Sequence, residues 1–230
     1  GPELLFPTKG KNGAFQDHTF FEASSIRKVD GKYCFVYSSE HNHDLCYAMA
    51  DSPKGPFTYG GVLVDIGDLY LNGNEDETHA SNYLGNTHGG MLQIEDQWYI
   101  FYHRQTNRSS YARQACAEKL ERRNDGGFQQ AEITSCGLNQ GALKGIGSYE
   151  ARIACNLWSI NGTGRYDGKS PKQKLKDHPY FTQSGKDREN NGDQYIANMC
   201  DGALAGFKYF DLSETKEISV AIKGRAEGTL

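Results

Sequence analysis

Two stretches of this chain run through the same succession of strand and turn signals, and that repeat leaves few folds open to it. In HTFFEASSIRKVDGKYCFVYSS, His18 to Ser39, the segment Val29-Asp30-Gly31-Lys32 is a tight-turn signal, and Tyr33-Cys34-Phe35-Val36-Tyr37 behind it is rich in β-formers. Further along, NTHGGMLQIEDQWYIFYHRQ sets Ile94-Glu95-Asp96-Gln97 over the first turn and Trp98-Tyr99-Ile100-Phe101-Tyr102 over the first aromatic strand. Each stretch predicts a β-hairpin.

The likeness continues if two residues are allowed into the next turn. YAMADSPKGPFTYGGVLV then lies over QACAEKLERRNDGGFQQAEI, so each copy holds a small-residue strand, a polar loop containing Gly, and a last strand led by Phe. Each copy reads as four antiparallel strands in about 45 to 50 residues, the period of propeller blades and similar β arrays. Apolar runs this short, broken by Gly, Ser and Asn, disfavour helices. The expected class is all-β.

With 230 residues, 37% of them hydrophobic and 12% aromatic, the chain has material for a core built around rings. Its net charge of −4, with both signs interspersed, offers no basic stripe for nucleic acid or an anionic membrane. No apolar run approaches a membrane span. The absence of a leader says little, because the opening GPELLFPTKGKNGAFQDH reads as the interior of a longer protein. Six cysteines, Cys34, Cys46, Cys116, Cys136, Cys155 and Cys200, show no metal-type spacing. The first three fall in strands among apolar neighbours and suit buried free thiols better than disulfides. The compartment is left open.

After Thr134 the repeat stops, and SCGLNQGALKGIGS reads as a connector. Beyond it, QYIANMCDGALAGFKYFDL and EISVAIKGRAEGTL look like strands of a β-sandwich that ends in mid-strand at Leu230. The expected division is 1–147 and 148–230.

Together HTFFEASSIRK, GKYCFVYSS, NTHGG, QWYIFYHRQT and RQACAE resemble the second half of a glycoside hydrolase family 43 catalytic domain, the five-bladed β-propeller of arabinofuranosidases and β-xylosidases. AGFKYFDL and ISVAIKGRAEGTL are similar to the start of a family 6-type carbohydrate-binding sandwich. The resemblance implies the last blades of a propeller followed by a partial sandwich. It also implies an oligosaccharide or polysaccharide substrate containing arabinose or xylose, a substrate class that favours a secreted or periplasmic enzyme.

By its place in FFEASS, Glu22 matches the family's general acid, in an inverting mechanism whose base stands about 6.5 to 9.5 Å away across the sugar. Shelter by Phe20 and Phe21 would help such an acid keep its proton. His88 in NTHGG falls beside the counterpart of Glu22, and the resemblance implies that it helps hold a channel calcium, largely through waters. Arg113 resembles the family Arg that faces the sugar, and its planar fork suits hydroxyls and carboxylates. His18 and Phe21 are further candidates for substrate contact, and Tyr37 for a stacking wall.

Blander readings stay beside these. Glu22 alone would be an edge carboxylate, His88 a core histidine, Arg113 a surface cation, His18 a loop histidine, and Phe21 and Tyr37 core rings. Nothing in the chain matches the family's two aspartates, including the base, so the missing upstream blades would have to supply them. The alternative is a non-catalytic carbohydrate-binding protein derived from the same fold. Asp17, Asp44 and Asp68 are the carboxylates to search if the chain proves self-sufficient.

Overall fold

The structure, a computed structural model, describes residue 15 and residues 18–165, 176–185 and 193–224. Among them are thirteen strands and two single-turn 3-10 helices, Glu77–His79 and Ala151–Ile153, so the chain is nearly all-β. None of the helices is long and apolar enough to cross a membrane.

Strands β1 (Phe20–Val29), β2 (Lys32–Ser39), β3 (Leu45–Ala50) and β4 (Thr58–Val64) form one antiparallel sheet in that order. Val29 pairs with Lys32 across a turn in which Asp30 and Gly31 have φ of 50° and 82°. Two positive φ values give a turn whose twist matches that of the strands it joins. The strand period of two then sorts the side chains: Cys34 and Val36 enter one core cluster, whereas Tyr33, Phe35 and Tyr37 enter or pack on another. β2 and β3 are thus buried on both faces, whereas β1 is largely exposed.

Strands β5 (Gly89–Ile94), β6 (Gln97–Gln105) and β7 (Arg113–Leu120) form the second sheet, again antiparallel in chain order. Met91, Ile100, Tyr102 and Leu120 share a cluster with Val36, Leu45, Tyr47 and Leu63, so one core joins the two sheets. Gly89 makes the approach feasible. A Cβ there would lie 2.2 Å from the Phe101 carbonyl oxygen and 2.7 Å from Leu45 Cδ1.

The expected fourth strand of the second copy does not form. Phe128 makes an isolated bridge to Arg122, and the chain then leaves β7. Its amides go elsewhere: Ala131 N–H donates to the Leu63 carbonyl, Ile133 N–H to Asp68 Oδ1 at 2.7 Å, and Thr134 N–H to Glu118 Oε1 at 2.7 Å. Buried backbone donors need partners, and buried carboxylates supply them here in place of a strand.

Past residue 140 the strands are short: β8 (Leu143–Lys144), β9 (Asn156–Trp158), β10 (Tyr180–Gln183), β11 (Gln194–Ala197), β12 (Leu204–Gly206) and β13 (Phe210–Asp211). They pair two by two, β8 with β13, β9 with β12 and β10 with β11. The β8–β13 pairing crosses the boundary expected at residue 147. Lys208 crosses it too, reaching Asp68 at 3.0 Å and Glu132 at 2.8 Å. EISVAI, expected as a strand, has none of its ladder, and Ile218, Val220 and Ile222 are exposed. Alternation alone cannot make a strand that lacks a neighbour. Leu230 lies outside the described residues.

Candidate functional site

Glu22 is aimed by an irregularity in β1. Phe20 pairs with Ser39 and Glu22 with Ser38, the register shifting on both sides of Glu22, and Ala23 has a φ of 62°. A bulge of this kind re-aims a side chain at a sheet edge. The carboxylate meets the second sheet, with Glu22 Oε1 2.7 Å from His88 Nε2. Both side chains are about 40% exposed, so the pair stands at a surface that solute can reach.

His88 stands immediately before β5. Its backbone N–H donates to His103 Nε2 at 3.1 Å. His103 therefore accepts through Nε2 and carries its proton on Nδ1. Burial first, then Arg113 and His88, push the His103 pKa down to about 4 against the pull of Glu22. Arg113, exposed at the start of β7, donates to Asn86 Oδ1 at 3.2 Å. Glu22, His88, His103, Arg113 and Asn86 thus form one polar cluster between the two sheets.

The other expected residues fall differently. Phe20 packs against Phe35 and Tyr37 in the core, and Phe21 is exposed with its ring edge-on to His43 at 5.1 Å, so the expected apolar shelter of Glu22 is not built. Tyr37 is fully buried, with its hydroxyl on the His18 carbonyl, and makes no exposed wall. His18 turns to Asp44, with Nδ1 2.9 Å from Oδ2. Asp44 and Asp68 are buried, Asp68 against Ser81, Ile133 N–H and Lys208, where neither can activate a water beside a sugar. Asp17 lies outside the described residues.

Two participants were missed. His103 is the repeat counterpart of Ser38, the residue opposite Glu22, so aligning the copies strand by strand would have pointed to it. Asn86 carried no comparable signal. A cavity of about 750 Å³ runs along β7, lined by Arg104, Arg113, Gln114, Glu118, Thr134 and Phe181 among others. It touches the cluster through Arg113, but neither Glu22 nor His88 lines it.

Metal ligation is a separate matter. Calcium takes six to eight oxygens, and His88 spends Nε2 on the Glu22 carboxylate beside His103 and the Arg113 guanidinium. A calcium ion here would have to take most of its oxygens from water. Among the described residues, the group of ligand-type side chains within reach of one ion is His18, Asp44 and Cys46, their ligand atoms within 4.8 Å of one another.

No family model matches the chain. It is 41% identical over 229 residues, 99% of its length, to a xylosidase/arabinosidase of Thermoclostridium stercorarium, of which it spans 48%. A β-xylosidase of Xylanibacter ruminicola is 39% identical over 87 residues, 37% of this chain and 22% of the relative. Among solved structures, a GH43_1 enzyme from Xanthomonas citri complexed with xylose is 30% identical, with a TM-score of 0.39, over 49% of this chain and 30% of that one. The chain spans about half the length of the first of these relatives.

Proposed function

We propose that the chain is the C-terminal part of a family 43 glycoside hydrolase that removes arabinofuranosyl or xylosyl units, with Glu22 as the general acid. The observation that carries this reading is the Glu22–His88 contact across two sheets, at a carboxylate presented by a bulge. A strand carboxylate kept for solubility needs no such presentation. The likeness of 99% of this chain to about half of a xylosidase/arabinosidase supports the substrate class.

In this reading Glu22 delivers a proton to the departing sugar oxygen. His88 orients the carboxylate. His103, neutral and fixed through the His88 amide, holds His88 in turn, and Arg113 binds sugar hydroxyls through its fork. Phe21, exposed beside His43, is the apolar surface nearest in sequence to the acid and contacts the substrate. His18, turned toward Asp44, is assigned no contact with the substrate.

The base is assigned outside this chain. The buried carboxylates Asp65 and Glu118 are engaged by the amides of Gly67, Leu69 and Thr134, in addition to the enclosed Asp44 and Asp68. Residues 1–147 are read as the last blades of a five-bladed propeller, supported by two successive antiparallel sheets around a shared core. Residues 148–230 are read as the start of a carbohydrate-binding sandwich, supported by the unpartnered Ile218, Val220 and Ile222.

A second reading, carbohydrate binding without turnover, is favoured by the Glu22 cluster, which among the described residues pairs that carboxylate with His88 and brings no second carboxylate to it. Turnover decides between them. The chain alone is expected to leave aryl arabinofuranosides and xylosides intact, and the chain joined to its upstream half to hydrolyse them with inversion, read by NMR of the first-formed anomer. A completed protein that binds xylo-oligosaccharide without cleaving it would leave the binding reading standing.

A further inference from the structure

His18, Asp44 and Cys46 lie on the far side of β1 and β2 from the shared core, and the proposed acid chemistry does not use them. Asp44 and Cys46 are fully buried, whereas the His18 side chain keeps 13% of its surface, so the group has one opening. Asp44 Oδ1 is occupied: it accepts from the Ser39 hydroxyl and from the Cys46 thiol at 3.5 Å. Asp44 Oδ2 faces His18 Nδ1 at 2.9 Å, yet without the alignment of a hydrogen bond.

The surroundings fix these side chains in place. The His18 ring stacks on Tyr59, with centroids 5.6 Å apart and planes at 10°, and meets His41 edge-on at 5.4 Å. The Tyr59 hydroxyl is 3.8 Å from Cys46 Sγ. Neighbours that orient ligands, as Ser39 and Tyr59 do here, are what a metal site needs around its first ring of donors.

We propose that His18 Nδ1, Asp44 Oδ2 and Cys46 Sγ form a site for a divalent transition ion of the zinc class. One nitrogen, one oxygen and one sulfur within 4.8 Å of one another suit a tetrahedral borderline ion. Calcium, which takes only oxygen, is excluded by the thiol. Charge favours the ion too. A carboxylate and a thiolate around a divalent cation sum to zero, so the buried group is neutral when filled. On binding, the Cys46 S–H bond breaks, its electron pair goes to the metal, and the proton leaves to solvent, one per ion. The fourth position belongs to water or to His41, whose exposed ring meets that of His18 edge-on at 5.4 Å. The site would pin the start of β1, four residues before Glu22, to the β2–β3 connection, whatever reaction the complete protein performs.

Cobalt(II) titration of the chelator-treated chain tests this. The expected result is one cobalt per chain, a near-ultraviolet thiolate-to-cobalt band, d–d bands of tetrahedral intensity, one proton released, and displacement by zinc. His18→Ala should weaken binding at least ~10-fold, and Cys46→Ser should abolish the thiolate band. The proposal is overturned if no cobalt binds, if the band survives Cys46→Ser, as it would at the exposed Cys200, or if His18→Ala leaves affinity unchanged. Should Cys46→Ser not fold, the wild-type spectrum and His18→Ala still decide.

Discussion

The two sheets start from nearly the same sequence pattern and end differently. The first completes itself with β4, contributes side chains to two core clusters and carries a bulged β1 that presents Glu22. The second stops at β7, has an unbulged β5 and presents His88 just before it. Hairpins are local and follow from turn chemistry, whereas the closing strand depends on what its amides find in the folded chain. In the second copy they find Leu63, Asp68 and Glu118. The asymmetry also brings a carboxylate on β1 to an imidazole just before β5.

The departing segment of the second copy is tied to the first by Tyr47. Its hydroxyl accepts from Phe128 N–H at 2.8 Å, and the rings meet edge-on at 5.7 Å. Removing the ring should therefore damage both sheets. Tyr47→Ala is expected to cost about 3 to 5 kcal/mol, as other large-to-small core changes do. Tyr47→Phe, which loses only the hydroxyl contacts, should cost about 1 kcal/mol. Urea midpoints measure both, and a Tyr47→Ala cost no larger than that of Tyr47→Phe would break the idea of a strap.

A smaller effect separates the buried carboxylates. Burial, with Asp68 adding and the Thr134 hydrogen bonds opposing, raises the Glu118 pKa from 4.5 to about 7. Between those values the folded chain holds a proton that the unfolded chain has released. Stability from this group is thus present below pH 4.5 and lost as pH rises to about 7. The loss is on the order of 3 kcal/mol. Asp65, at the end of β4, is raised to about 7 by burial and Asp44 and acts in the same direction. Glu118→Gln should flatten part of the decline in stability between pH 5 and 7, leaving the Asp65 share. An unchanged slope would show that Glu118 does not titrate there.

The smallest effect lies in the turns. Asp30-Gly31 places both residues at positive φ, with glycine at the second, whereas the matching turn places Glu95 at a φ of 53°. Gly31→Ala should destabilise by about 1 kcal/mol, and Glu95→Gly should stabilise by somewhat less, since glycine also costs unfolded-chain entropy. Thermal midpoints moving in opposite directions would sharpen the comparison, and equal shifts would blunt it.

How much of this was legible follows the same division. Both hairpins, their turns and the strand status of Cys34, Cys46 and Cys116 could be read from period and turn residues. The Glu22–His88 bond could not, because it depends on how one sheet packs on another and on a bulge at Ala23 that carries no composition signal. The loss of the second copy's last strand was hidden for the same reason. EISVAI misled because alternation reports what a strand would bury, not whether a neighbour is present. His18 was read by its nearness to Glu22 in sequence, but side chains four apart along an irregular strand start need not share a face.

The central claim is that Glu22 donates the proton to the leaving group. It is tested most directly by comparing Glu22→Gln with the wild type, in the protein completed by its upstream half, on natural oligosaccharides and on aryl glycosides with good leaving groups. The account predicts a loss of about 10²- to 10⁴-fold in kcat on the natural linkage, little loss on the activated substrates, and KM nearly unchanged. Equal losses on both substrate classes would contradict it.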